Sequence, residues 1–124
     1  MNIDCYFSKL LGKTLKSVTV GAGADGEEIR FVCEDGSTYI QYHRQSCCES
    51  VYIDDIEGDL NDLVGSPILV ADESTNWDNP KRDGEESFTW TFYKLSTIKG
   101  YVTIRWYGSS NGYYSESVDF EQIA

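Results

Sequence analysis

Apolar residues fall mostly in short alternating runs broken by glycine and asparagine, the pattern of half-buried strands joined by tight turns. The first segment departs from it. Tyr6, Phe7, Leu10 and Leu11 recur at helical spacing, which predicts a short helix from Asp4 to Leu11 closed by Gly12. Leu15 to Val20 reads as a strand and Gly21-Ala22-Gly23-Ala24-Asp25-Gly26 as a loop. Glu27 to Cys33 and Thr38 to His43 flank Asp35-Gly36, a strong hairpin signal. Ser50 to Ile56 is a further strand, Asp59 to Val64 a helical turn before Gly65, and Pro67 to Ala71 a strand. The polar run from Asp72 to Glu86 reads as a long loop. Ser87 to Ile98 and Tyr101 to Tyr107 flank Lys99-Gly100, a second hairpin, and Asn111-Gly112 turns into a last strand from Tyr113 to Phe120. The expected fold is one domain, mostly β and α+β only by a narrow margin: an antiparallel sheet of hairpins with a short N-terminal helix.

Turn lengths set two registers. A two-residue Asp35-Gly36 turn places Cys33 opposite Thr38, on one face with Phe31, Ile29, Ile40 and Tyr42. His43 then lies on the other face, opposite Glu28, at the far end of the hairpin. A two-residue Lys99-Gly100 turn pairs Leu95 with Ile104 and sends Trp90 and Phe92 to the opposite face. Either that sheet is covered on both faces, or a bulge near Tyr93-Lys94 switches the alternation.

Nine Tyr, five Phe and three Trp give the chain ample material for a core without disulfides. No apolar run approaches the roughly 20 residues of a membrane span, and Met1-Asn2-Ile3-Asp4-Cys5 has no basic or long apolar leader region. A cytoplasmic location is the expectation. Charge sharpens the picture. The formal net charge is -11, and no Lys or Arg stands between Arg44 and Lys81. That stretch holds Glu49, Asp54, Asp55, Glu57, Asp59, Asp62, Asp72, Glu73 and Asp78. Such a field repels phosphate and argues against direct nucleic-acid binding. It fits a solvated acidic face or a surface aimed at a basic partner. On the second reading Asp54, Asp55, Glu57, Asp59 and Asp62 make the contact, with Trp77 as apolar anchor.

Site chemistry concentrates in His43-Arg44-Gln45-Ser46-Cys47-Cys48-Glu49. Thiolates and a neutral imidazole are zinc ligands, and three residues between His43 and Cys47 make a workable chelate. Cys48 can join or point into the core. Cys5 can reach the site, with Glu49 or a water as the other choices for a fourth ligand. Cys33, about 16 Å away along the strand, reads as a core residue. The competing reading is a buried cysteine pair beside a hydrogen-bonded surface histidine. In a reducing compartment the cysteines stay reduced, and adjacent Cys47 and Cys48 bridge each other only with strain. His43 is the only histidine, so no triad can form without it. Asp54 and Asp55 alternate across a strand and cannot both face one substrate. No P-loop or dinucleotide fingerprint is present.

Three stretches carry a resemblance over most of the chain. They are His43 through Cys47-Cys48-Glu49-Ser50-Val51; Gly58-Asp59-Leu60-Asn61-Asp62-Leu63-Val64-Gly65-Ser66-Pro67-Ile68; and Trp90-Thr91-Phe92-Tyr93 through Gly100 to Gly108 and on to Tyr114-Ser115. The chain resembles a family of small phage- and prophage-encoded proteins, largely of unknown function, that includes a zinc-containing anti-CRISPR inhibitor of the type II RNA-guided nuclease. The resemblance implies a structural zinc on His43, Cys47 and Cys48, no catalytic turnover, and an anti-defence role in the host bacterial cytoplasm. The implied partner is the host CRISPR nuclease. A small zinc-dependent phage enzyme and a phage structural or housekeeping domain are the alternatives.

Overall fold

The computed structural model describes residues 2–76 and 87–124. Among them, nine strands form two antiparallel sheets. The first runs in the order β1 (Ile3–Asp4), β9 (Asp119–Gln122), β4 (Thr38–Tyr42), β3 (Gly26–Cys33), β2 (Leu15–Gly23). The second runs β5 (Ser50–Glu57), β8 (Gly100–Ser110), β7 (Ser87–Thr97), β6 (Val70–Asn76). Alternation drives the layering. Val102, Ile104 and Trp106 of β8 and Tyr93 and Leu95 of β7 point inward and are buried. They meet Ile29, Phe31, Tyr39 and Phe120 of the first sheet in one apolar core. The mostly-β expectation holds, in the form of two packed sheets.

The expected N-terminal helix is a single 3-10 turn, Phe7–Leu10, following β1. Only Phe7 and Leu10 of the segment are buried, and Tyr6 and Leu11 stay out. Phe7 plugs the space between the sheets, with its ring 4.7 Å from Tyr93 and 5.2 Å from Phe120. A second 3-10 turn, Leu60–Leu63, stands where a helical turn was expected, and the Asp59 side chain caps it by accepting from Asn61 N at 2.9 Å. The glycine-rich run is strand rather than loop: β2 continues to Gly23 and pairs with β3 through Gly23 and Gly26. The strand expected at Pro67 to Ala71 starts at Val70 and continues to Asn76, into the run read as loop. The last strand forms only at its end, over β9.

Both hairpin registers differ from the expected ones. The first loop has three residues, Glu34-Asp35-Gly36. Cys33 N donates to Ser37 O at 2.8 Å, Gly36 N to Cys33 O at 3.1 Å, and Gly36 takes φ +92°. One more loop residue turns the whole of β4 over. Phe31 now pairs with Tyr39 and Ile29 with Gln41. Tyr39, Gln41 and His43 face the core instead of Ile40 and Tyr42. Gln41 is half satisfied there: its Oε1 accepts the Trp106 indole N–H at 2.8 Å, while its buried Nε2 has no partner among the described residues. In the second hairpin the turn is Ile98-Lys99, so Leu95 pairs with Val102 rather than Ile104. The ladder is regular, without a bulge at Tyr93-Lys94. Trp90 and Tyr107 therefore lie on the outer face, yet both are buried, with rings 4.6 Å apart. The sheet is covered on both faces at that end.

Candidate functional site

The segment after β4 folds around one carboxylate. His43, 3% exposed, continues the inward row of Tyr39 and Gln41. Its Nδ1 lies 2.7 Å from the Ser117 carbonyl and its Nε2 2.8 Å from Glu49 Oε2. Glu49 Oε2 also accepts from Ser46 N at 2.9 Å, and Oε1 from Cys47 N at 2.9 Å and Gln45 Nε2 at 3.2 Å. The Gln45 amide reaches on to Glu49 O at 2.7 Å. Burial pushes the Glu49 carboxyl up, but the Cys47 amide, the His43 ring and the Ser46 amide outweigh it and hold the group at about 2. Each ring nitrogen of His43 lies within hydrogen-bonding distance of an oxygen, and the buried contact with the Glu49 carboxylate closes the 43–49 loop.

The four expected zinc ligands are not gathered. Both His43 ring nitrogens are engaged as above. Cys47 and Cys48 are exposed, at a bend that brings their sulfurs together. Cys5 follows β1 and donates its amide to Phe120 O at 3.1 Å, so β9 separates it from the strand that leads into His43. Among the described residues no group of three or more His, Cys, Asp or Glu is disposed to hold a metal ion. In this arrangement the residues do not fit zinc, and Glu49 occupies the central position. Cys33 is buried in the core and its thiol is raised chiefly by that burial.

The acidic residues divide by environment. A β-bulge lies between Ile53 and Asp55, where β5 shifts register against β8. It cancels the alternation, so Asp54 and Asp55 both face Arg105, contrary to the sequence expectation. Asp54 Oδ2 is 2.8 Å from the guanidinium and Asp55 Oδ2 3.9 Å. The guanidinium also lies 5.5 Å from the Trp90 ring. Asp55, Glu57 and Asp59 are exposed, Asp62 is half-buried, and Asp72 and Glu73 are exposed on β6. Trp77, the expected apolar anchor, lies outside the described residues. Sequence reasoning missed Arg105 because nothing in Tyr52 to Glu57 marks a bulge. It ended β6 at Ala71 because the polar run hides the strand alternation that continues to Asn76.

No helix among the described residues is long and apolar enough to cross a membrane. Neither the curated proteins nor the solved structures contain a match to the chain. Residues 8–120 match DUF7448, a domain of unknown function. That span takes in both sheets from the first 3-10 turn to the start of β9, and the chain belongs to the DUF7448 family.

Proposed function

We propose that this protein is a phage-encoded, non-catalytic inhibitor that docks its acidic surface on the basic DNA-binding groove of a type II RNA-guided nuclease. The observation that carries the reading is the exposed row of Asp55, Glu57 and Asp59, in a stretch of chain without Lys or Arg and on a molecule of net charge -11. Carboxylates compete with phosphates for the arginines and lysines of such a groove. The chain's one histidine is held on both ring nitrogens in the interior, which supports binding rather than turnover. The phage origin and the choice of nuclease rest on the sequence resemblance. The reading needs no metal, because Glu49 already organises the loop that precedes the acidic strand.

The test is inhibition of DNA cleavage by the purified nuclease. The Asp55→Lys/Glu57→Lys double variant is expected to lower the association rate about tenfold and to flatten its dependence on salt, with thermal melting lowered by no more than a few degrees, since the Asp55–Arg105 pair it removes is solvent-exposed. Asp54 is left in place because it holds Arg105. A double variant that inhibits as well as the parent sinks the acidic-surface reading.

A further inference from the structure

Between the first 3-10 turn and β6 lies a cleft of about 390 Å³, lined by Tyr6, Phe7, Ser8, Ala71, Glu73 and Thr75 among others. Its construction follows from register. Ala71 pairs with Leu95 and Glu73 with Tyr93, so Ala71, Glu73 and Thr75 share the inward-facing side of β6 at the margin of the sandwich. Phe7 fills the gap beneath, and the chain before it carries Tyr6 to the rim, where that side chain is 87% exposed.

We propose that this cleft receives one arginine side chain, presented by an extended segment of a protein partner. The inference deepens the docking reading: it rests on that reading for the class of partner and adds the anchor point. The chemistry is that of a guanidinium receptor. Glu73 supplies the charge, and no described Lys or Arg forms an ion pair with it. Glu73 stands exposed on the cleft side of β6, opposite Tyr93, where an incoming cation can reach its carboxylate. Tyr6 offers an exposed ring on which a planar guanidinium can stack, a contact that an ammonium makes less well. The hydroxyls of Ser8 and Thr75 line the same cleft and are acceptors for the N–H groups a carboxylate leaves over. Asp72 adds negative charge next door. β6 is an edge strand paired only with β7 among the described residues, so an extended segment can lie along it while its side chain enters the cleft.

The experiment is a ¹H–¹⁵N NMR titration of the full chain with the blocked peptide Gly-Gly-Arg-Gly-Gly, and with the same peptide carrying citrulline in place of arginine. The arginine peptide is expected to give saturable shifts at Tyr6, Ser8, Glu73 and Thr75, and the uncharged peptide to bind about tenfold more weakly or worse. Glu73→Gln should lose about tenfold in arginine-peptide affinity at an unchanged melting temperature. If Glu73→Gln does not fold, Tyr6→Ala, at an exposed position, carries the same expectation. The proposal is overturned if no shift appears by about 10 mM peptide, if shifts appear only around Asp55, Glu57 and Asp59, if both peptides bind alike, or if the folded variants bind like the parent. Nuclease assays separate the two readings. Peptide uptake without nuclease inhibition overturns the nuclease partner and leaves the cleft; undiminished inhibition by Glu73→Gln and Tyr6→Ala together overturns the cleft as anchor and leaves the acidic surface.

Discussion

At the scale of single residues, the decisive interaction is His43 with Glu49. Glu49 is a buried carboxylate that accepts from the Ser46 and Cys47 amides, and losing a hydrogen bond to a charged group costs about 1.5–3 kcal/mol. Glu49→Gln is therefore expected to lower the denaturation midpoint sharply, in buffer with EDTA as well as without it. In the parent, chelator should leave the midpoint unchanged, since a carboxylate rather than a metal holds the loop; a parent that melts earlier in EDTA contradicts this account. The pH dependence has a definite sign. The Glu49 carboxyl lies at about 2 in the fold, below its ordinary value of 4.5, so its contribution is fully present above 4.5 and is lost as pH falls towards 2. Glu49→Gln should flatten the acid limb of the stability curve across that window. The sequence marks this segment as the chemical centre, and the residue types are the right ones. The roles are not legible there, because Glu49 is placed by amides of its own loop and by a ring partner, Ser117 O, that lies 74 residues away.

At the scale of elements, hairpins were easy to locate and hard to count. Asp35-Gly36 marks the turn under either register, and a glycine in the left-handed region serves both. What decides is burial: the three-residue loop sends Tyr39, a full aromatic side chain, to the core beside Phe120 at 5.5 Å. The cost is an inward Gln41, which a hydrophobicity pattern scores against this register, and which only Trp106 on the other sheet makes acceptable. Gly36 has open space around the site of a Cβ, so its role is conformational. Gly36→Ala should cost about 1–2 kcal/mol through φ alone, measured by urea denaturation with an unchanged slope. Gly36→Asn, which tolerates that region better, should recover part of the loss. A neutral Gly36→Ala would mean the loop is not held at positive φ. The bulge at Asp54 belongs to the same class of feature. One extra residue brings two carboxylates to one arginine, with no glycine or proline to announce it.

At the scale of the whole molecule, composition was the more informative level. A chain of net charge -11 repels itself when compact. Raising salt from about 20 mM to about 300 mM shrinks the Debye length severalfold, and the melting temperature is expected to rise by a few degrees. A fall over that range would show that local ion pairs, such as Arg105 with Asp54, outweigh the general repulsion. The mostly-β class was readable from alternation. The division into two sheets was not, because it depends on which strands separated in sequence lie side by side.

The position of β9 carries a consequence for how the protein comes to exist. A strand near the very end of the described chain is an interior member of the first sheet, seated between β1 and β4. The hairpins β2–β3–β4 and β7–β8 can form from local contacts, but joining Tyr39 to Gln122 closes a loop of most of the chain. β9 must thus be made before that sheet can close, and until then β4 presents an open edge to other chains. The Ser117 carbonyl that fixes the His43 ring arrives with the same segment. The buried His43–Glu49 contact is consequently among the last features to mature, a property of the finished fold rather than a seed for it.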